Sequence, residues 1–204
     1  LVSSSAASDV YKRQVSIIGL GYVGLPLAVE ISKTKKCKKT GKKIKRETIG
    51  FDLSKDRLKD LKEGVDKTKE FSKKELENSS IIYTYEEKLL IDTDIFIVTV
   101  PTPINKINEP DLTALRKASE LIGKTLNLQN KKSSPIVIFE STVFPGATEE
   151  VCVPIIEKYS NKSFNVDFFC GYSPERINPG DKKYRLINII KVTSGSSKDS
   201  AKSI

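Results

Sequence analysis

A glycine-rich turn carries the clearest chemical signal in this sequence. Gly19, Gly21 and Gly24 follow the apolar run 15–18 and precede a helix-like segment, which gives the pattern G-x-G-x-x-G between a strand and a helix. The first glycine permits a tight turn, the second lets the backbone approach a phosphate, and the third lets the helix pack closely on the sheet. Free N–H groups at the helix N-terminus favour an anion. The spacing therefore predicts a site for a dinucleotide pyrophosphate.

An acid suited to a ribose ends the next apolar run. Asp52 lies about eight residues further from the glycine motif than the usual spacing of about 20. A lysine-rich insertion at 33–46 accounts for the excess, since extra loop length costs little. A carboxylate here accepts hydrogen bonds from the ribose hydroxyls and repels a 2′-phosphate, so NAD is favoured over NADP. The alternative is a turn acid or helix cap.

Arg57 lies within the next helical turn, where it is predicted to lie beside the adenine or its phosphate. A surface cation is the alternative.

Polar residues also end three later apolar runs. Thr102 lies in the segment 98–103, Ser141 and Thr142 lie in 140–146, and Glu175 with Arg176 lies in 171–180. Ligands of open α/β sheets bind beyond the carboxyl ends of the strands, so these side chains are predicted to meet around the cofactor. Turn or cap residues and a solvent-exposed ion pair are the alternatives.

The elements that must position these residues alternate in type along the chain. The predicted strands are Val15–Ile18, Thr48–Phe51, Ile81–Thr84, Ile95–Val100, Ile136–Phe139, Phe168–Gly171 and Ile189–Thr193. The predicted helices are Tyr22–Ser32, Lys55–Lys62, Ser72–Asn78, Leu112–Leu126 and Thr148–Tyr159. Alternation of continuously apolar strands with helices predicts an α/β fold, a doubly wound, mostly parallel Rossmann-type sheet with helices on both faces.

Charge is concentrated in one segment. The chain of 204 residues has a net charge of +9, and the segment 33–46 alone carries nine positive side chains and no acid. The segment contains no aromatic residue for stacking on bases, so it is interpreted as a solvated loop and no nucleic-acid partner is predicted. Electrostatic nucleic-acid binding through this segment is the alternative. No apolar run approaches the roughly 20 residues of a membrane span, so no membrane contact is predicted.

Cysteine usage and the chain ends suggest a compartment and domain limits. Cys37, Cys152 and Cys170 form neither a metal-ligand pattern nor a disulfide framework, which points to the reducing cytoplasm. Residues 1–14 lack an initiator Met and are interpreted as a non-native leader. The nucleotide-binding domain is predicted over 15–193, and 194–204 is interpreted as the start of a truncated linker or central helix.

The motifs together resemble the UDP-glucose/GDP-mannose dehydrogenase family, the nucleotide-sugar 6-dehydrogenases. The matching stretches are Gly-Leu-Gly-Tyr-Val-Gly-Leu-Pro, Gly-Phe-Asp, Val-Pro-Thr-Pro, Glu-Ser-Thr-Val-Phe-Pro-Gly and Tyr-Ser-Pro-Glu-Arg-Ile-Asn-Pro-Gly-Asp-Lys-Lys. The form Ser-Pro-Glu-Arg-Ile-Asn-Pro-Gly resembles the branch that acts on UDP-N-acetylhexosamines. The UDP-glucose and GDP-mannose branches, which usually carry Phe after the Glu, are the alternative.

The resemblance implies oxidation of a sugar C6 alcohol to a carboxylate in two hydride transfers to NAD⁺, through a thioester on a cysteine. Together with the glycine motif, it gives the candidate cofactor-binding residues Gly19, Gly21, Tyr22, Val23, Gly24, Asp52, Arg57, Thr102, Ser141 and Thr142. It implies that Thr142 and Glu175 are catalytic, holding the hydrolytic water and assisting proton transfer. It implies that Glu175, Arg176 and Ile177 contact the UDP-sugar.

The family's cysteine nucleophile, in a Gly-Gly-x-Cys segment, and its catalytic lysine have no counterpart in this sequence. We therefore expect an N-terminal, NAD-binding part of a longer enzyme, which is a homodimer when full-length and whose fragment binds cofactor without turnover. A stand-alone dinucleotide-binding module is the alternative from another functional class.

Overall fold

The structure, a computed structural model, describes residues 12–36, 41–130, 134–176 and 186–204. The strands are β1 (Lys12–Ile18), β2 (Lys45–Phe51), β3 (Ile81–Thr84), β4 (Ile95–Val98), β5 (Ile136–Phe139), β6 (Phe169–Tyr172) and β7 (Ser194–Gly195). The α-helices are α1 (Gly24–Lys33), α2 (Lys55–Lys62), α3 (Lys73–Glu77), α4 (Thr113–Leu128), α5 (Val153–Ser160) and α6 (Lys198–Ser203). Short 3₁₀ turns occupy Glu87–Leu90 and Leu186–Asn188, and a π turn over Thr148–Cys152 leads into α5.

The strands form one sheet in the order β3-β2-β1-β4-β5-β6-β7. The first six are parallel to their neighbours, and β7 pairs antiparallel with β6. The strand order reverses between β1 and β4, which is the switch point where doubly wound sheets bind ligands. This topology confirms the predicted α/β Rossmann-type fold.

Both faces of the sheet are buried because alternate strand residues point to opposite sides. In β4, Phe96 and Val98 pack in a core with α4 and α5, whereas Ile97 packs in a second core with α1, α2 and α3. Val137 and Ile138 of β5 divide between the two cores in the same way. The apolar runs predicted as doubly covered strands therefore have helices on both sides.

Two predicted strands at the ends of the domain have different bounds in the structure. Strand β1 begins at Lys12, not Val15, because residues 12–14 continue the parallel register against Lys45 to Glu47 of β2. At the other end, no strand forms over Ile189–Thr193, and the polar pair Ser194–Gly195 is the strand instead. Residues 194–204 therefore belong to the sheet and its covering helices.

The lysine-rich segment lies between α1 and β2, and its residues 37–40 are outside the described ranges. On its flanks, Lys36 pairs with Lys43 in an antiparallel bridge and the Ile44 N–H donates to the Lys35 carbonyl over 2.8 Å. The extra length is therefore accommodated beside the helix-to-strand connection. Within the described ranges, no helix has both the length and the apolar character needed to cross a membrane.

Candidate functional site

The glycine turn lies at the switch point of the sheet, and each glycine in it meets a different surrounding. Gly19 has a φ of +97°, a left-handed conformation that side chains rarely adopt. A Cβ on Gly24 would lie 1.9 Å from the Gly19 carbonyl oxygen, so this position has no room for a side chain. A Cβ on Gly21 would meet nothing within 4 Å, which leaves its backbone open to a ligand.

Helix α1 begins directly after this turn without a side-chain cap. Val23 occupies the N-cap position, and the first turn contains no acidic residue. The helix start therefore has no side-chain acceptor of its own, and no carboxylate in its first turn competes with an anion. This arrangement, together with the bare Gly21, fits the pyrophosphate of a dinucleotide.

Thr99, which sequence reasoning missed, holds the turn from the end of the neighbouring strand β4. Its buried Oγ1 donates to the Gly19 carbonyl over 2.7 Å and lies 3.2 Å from the Ile18 carbonyl. A threonine that follows an apolar strand resembles an ordinary β-former, so only its contact with the turn distinguishes it.

Asp52 lies at the end of β2 and contacts the turn directly. Its Oδ2 accepts from the Leu20 N–H over 2.8 Å, and its Oδ1 accepts from the Ser54 N–H over 2.8 Å. Ser54, not Asp52, caps α2, so the alternative of a helix cap is wrong. Each carboxylate oxygen can accept a further hydrogen bond, which suits ribose hydroxyls and disfavours a phosphate.

Arg57 is not the surface cation of the alternative interpretation. Only 12% of its side chain is exposed. Its Nε donates to the Leu20 carbonyl over 2.9 Å, and its NH1 lies 2.9 Å from Oδ1 of Asp66. The guanidinium therefore lies against the glycine turn and is anchored from behind.

A cleft of about 710 Å³ opens beside Asp52. It lies between the ends of β1 and β2, the segment after β4 and one side of α4. Its lining residues include Gly19, Phe51, Asp52, Val100, Pro103, Ala118 and Leu121. The volume is in the range of ligand pockets, and the apolar walls beside the Asp52 carboxylate suit an adenosine.

The predicted polar residues after β4 and β5 do meet. Thr102 donates its hydroxyl hydrogen to the Thr142 carbonyl, and Ser141 donates to the Val100 carbonyl over 2.6 Å. Thr142 itself is an exposed residue beside this junction. The two strand ends are therefore joined at the sheet edge where the glycine turn also lies.

The residues after β6 lie beside a buried ion pair that the sequence analysis missed. Glu140 at the end of β5 contacts the Lys191 ammonium, and both side chains are largely buried. Burial and the nearby Glu175 carboxylate raise the pKa of Glu140, although Lys191 opposes the rise. Arg176 donates to the Ile190 carbonyl over 3.2 Å. The sequence did contain a signal for this ion pair, because Lys191 is the one charged residue in the apolar stretch 189–192.

Ile177, predicted to contact the sugar, lies outside the described residues. Glu175 and Arg176 are thus the described part of the predicted substrate side. The Ile190 carbonyl ties the segment before β7 to Arg176, and Lys191 ties the same segment to Glu140.

The described cysteines are unsuited to nucleophilic catalysis. Cys152 and Cys170 are free and buried in the core. Burial raises the pKa of the Cys152 thiol to about 11 and raises the pKa of the Cys170 thiol far above its usual range. A nucleophilic cysteine needs a lowered pKa and access to solvent or substrate. Cys152 and Cys170 have neither, so they are packing residues of the core.

Residues 13–204 match the family model described as the NAD binding domain of the UDP-glucose/GDP-mannose dehydrogenase family. The chain belongs to this family. The matching model is that of an NAD-binding domain, which confirms the predicted cofactor, NAD. Among relatives, the UDP-N-acetyl-D-glucosamine 6-dehydrogenase of Pseudomonas aeruginosa is 52% identical over 189 residues, which cover 92% of this chain and 41% of that protein. The enzyme of the same name from Salmonella typhi is 50% identical, with 90% and 40% covered.

Solved structures of family members have the same fold. A ternary complex of GDP-mannose dehydrogenase from Pseudomonas aeruginosa is 28% identical, with a TM-score of 0.71 over 81% of this chain and 36% of that one. A UDP-glucose dehydrogenase from Pyrobaculum islandicum has a TM-score of 0.78 at 21% identity, covering 100% and 44%, and shows the fold alone. The chain thus spans about two fifths of the length of the relatives it matches.

Proposed function

We propose that the chain is the N-terminal, NAD-binding part of a nucleotide-sugar 6-dehydrogenase that oxidises the C6 alcohol of a UDP-N-acetylhexosamine to the carboxylate. The observation that carries the cofactor assignment is the Asp52 carboxylate, which ends β2 and accepts the Leu20 N–H of the glycine turn. The substrate assignment is supported by the identity of 52% to a UDP-N-acetyl-D-glucosamine 6-dehydrogenase.

In this proposal, different groups of the chain bind the different parts of NAD. The turn Gly19–Gly24, with Tyr22 and Val23 at the start of α1, holds the pyrophosphate through backbone N–H groups. The Asp52 carboxylate accepts hydrogen bonds from the ribose hydroxyls, and the cleft along α4 encloses the adenine. Thr102, Ser141 and Thr142 lie after β4 and β5, where they orient the nicotinamide. Bound NAD⁺ supplies the hydride acceptor for oxidation of the alcohol.

The substrate side follows β6. Thr142 and Glu175 hold the hydrolytic water, and Glu175 assists proton transfer. Arg176 and Ile177 contact the nucleotide sugar. Cys152 and Cys170 are buried with raised pKa values and are not proposed as the nucleophile. In this proposal the nucleophilic thiol and the catalytic lysine come from other parts of the enzyme, as the family resemblance implies. The product, a UDP-N-acetylhexosaminuronate, serves polysaccharide synthesis, and the enzyme works as a cytoplasmic homodimer.

The cofactor half is tested by calorimetric titration of this chain with NAD⁺ and with NADP⁺. We expect NAD⁺ to bind at least tenfold more tightly, and Asp52→Asn to reduce this preference while weakening NAD⁺, because the amide keeps the shape and removes the charge. Asp56→Asn is the matched control, since it makes the same charge change at an exposed residue of α2. Equal affinities for the two cofactors in the wild type would contradict the assignment.

The substrate half is tested with the complete enzyme. NADH formation at 340 nm is followed with UDP-N-acetylglucosamine, its galactosamine epimer, UDP-glucose and GDP-mannose at limiting concentration. The proposal expects turnover of an N-acetylhexosamine with two NADH per sugar. Preferred turnover of UDP-glucose or GDP-mannose would favour those branches of the family. Cofactor binding without turnover of any sugar would favour the stand-alone binding module.

A further inference from the structure

The backbone of one residue in the glycine turn is held between two opposite charges. The Leu20 N–H donates to Asp52 Oδ2 over 2.8 Å, while the Leu20 carbonyl accepts from Arg57 Nε over 2.9 Å. The Leu20 side chain is fully buried in the core that contains α1 and α2. The orientation of the peptide groups around Leu20 therefore depends on where Arg57 lies.

Asp66, in the loop after α2, fixes Arg57 from behind. The Asp66 side chain is 0% exposed, and its Oδ1 lies 2.9 Å from Arg57 NH1. The same carboxylate accepts from the Thr68 N–H and hydroxyl over 3.0 and 2.7 Å. It also accepts from the N–H groups of Glu70 and Phe71 over 2.9 and 3.1 Å. Four donors of its own loop thus hold the carboxylate against the guanidinium.

The carboxylate of Asp66 stays ionised in this surrounding. Burial alone raises its pKa, but the hydrogen bonds from Thr68, Arg57 and Phe71 together hold the pKa below its usual value. A buried charge without its partner is costly, so the loss of either member of the pair drives the other toward water. If Arg57 moved in this way, the Leu20 carbonyl would lose its donor.

We propose that Asp66 is a positioning residue for NAD, which acts through Arg57 to hold the Leu20 peptide and thereby the phosphate-facing N–H groups of the glycine turn. This inference rests on the proposed function of the turn. It assigns a role to a residue of the loop after α2, outside the glycine motif and the strand ends.

The first experiment compares NAD⁺ affinity by calorimetry for Asp66→Asn and Thr68→Val. Asp66→Asn removes the charge that holds Arg57, and we expect the Kd for NAD⁺ to rise about tenfold or more, the range of a lost charged hydrogen bond. Thr68→Val removes a hydrogen bond to the same carboxylate but leaves the ion pair, and its Kd is expected within twofold of the wild type. Equal affinity of Asp66→Asn and wild type overturns the inference.

The second experiment tests whether Asp66 acts through Arg57. In an Arg57→Met background, Asp66→Asn is expected to change the Kd less than twofold, because the tie is already absent. An undiminished effect of Asp66→Asn in that background overturns the inference.

Amide NMR without cofactor supplies a readout that loop stability alone does not move. We expect the Leu20 and Gly21 amide resonances to shift in Asp66→Asn and to stay in place in Thr68→Val. Arg57→Lys keeps the positive charge and loses the donor to Leu20, so it keeps the test decisive if Asp66→Asn does not fold. Unshifted Leu20 and Gly21 amides in Arg57→Lys overturn the inference. A wild-type chain that fails to bind NAD⁺ contradicts the proposed function instead.

Discussion

At the scale of single residues, the glycines of the turn have different physical tasks. Gly24 lies where a Cβ would overlap the Gly19 carbonyl at 1.9 Å and the Thr99 hydroxyl at 2.4 Å. Gly21 has open space around the position of its missing Cβ. Gly24 is therefore required by the fold of the turn, and Gly21 by the ligand that approaches it.

Alanine substitutions separate these two tasks. We expect Gly24→Ala to lower the free energy of unfolding by about 1–3 kcal/mol, the usual cost of overpacking, and to abolish measurable NAD⁺ binding. Gly21→Ala is expected to keep wild-type stability and to weaken NAD⁺ more than tenfold, because its Cβ enters the space for the phosphates. Urea denaturation and calorimetry measure the two effects. Wild-type NAD⁺ affinity in Gly21→Ala would mean that the cofactor does not approach there.

The two core cysteines provide a residue-scale test of burial. Thiolates are the reactive form, and at pH 8 the raised pKa values keep Cys152 and Cys170 as thiols. In a Cys37→Ser variant, we expect almost no reaction with Ellman's reagent until urea unfolds the chain, when both thiols react. Rapid reaction of either thiol in the native variant would contradict its placement in the core.

At the scale of secondary-structure elements, α4 serves the cleft and the core at once. One side of α4 lines the cleft, and Gly123 on another side packs against α5. A Cβ on Gly123 would lie 2.7 Å from the Cβ of Tyr159 and 3.0 Å from the Ile156 carbonyl oxygen. The approach of the two helices is therefore limited by the absence of a side chain at this position.

Gly123→Ala sets two effects against each other. Alanine favours a helix over glycine by about 1 kcal/mol, but relief of the overlap requires α4 and α5 to separate. Since neither contacting atom is the end of a flexible side chain, we expect a net loss of about 1–2 kcal/mol in the free energy of unfolding. NAD⁺ affinity is expected to stay within twofold, because Gly123 does not line the cleft. A stabilised variant in urea denaturation would show that the helices move apart at little cost.

Two short apolar strands were predicted with the correct bounds, although only one of them is buried along its whole length. Ile81–Thr84 and Ile136–Phe139 were predicted with the bounds that the structure has, since apolar β-formers with turns on both sides have few other roles. Strand β7 was missed because two polar residues carry no pattern and gain their conformation from pairing with β6. Local sequence therefore specified a strand with its own apolar pattern, at the β3 edge as well as inside the sheet, better than a strand defined only by its partner.

At the scale of the whole molecule, the sequence predicted which candidate side chains lie near each other wherever their positions depend on strand order. Asp52, Thr102 and Ser141 lie at strand ends, so the parallel topology alone brings them to one edge of the sheet. The tie from Asp66 through Arg57 could not be predicted in this way. It depends on how the loop after α2 folds back on its own N–H groups, and no spacing rule describes that closure.

The short antiparallel strand has a consequence for how copies of the molecule behave toward each other. Strand β7 pairs with β6, and the Ser196 N–H donates to the Cys170 carbonyl over 2.8 Å, so the hydrogen-bonding groups along that side of β6 are already satisfied. Without β7, these groups of β6 would form an open edge, and a strand of a second chain could pair with it.

A chain shortened to end at Thr193 is therefore expected to form dimers and aggregates at concentrations where the longer chain elutes unchanged. Size-exclusion chromatography over a concentration series measures the difference. Identical elution of both chains would mean that β6 is protected in another way. The segment after Thr193, interpreted from the sequence as the start of a linker or central helix, thus covers an edge of β6 to which another strand could otherwise add.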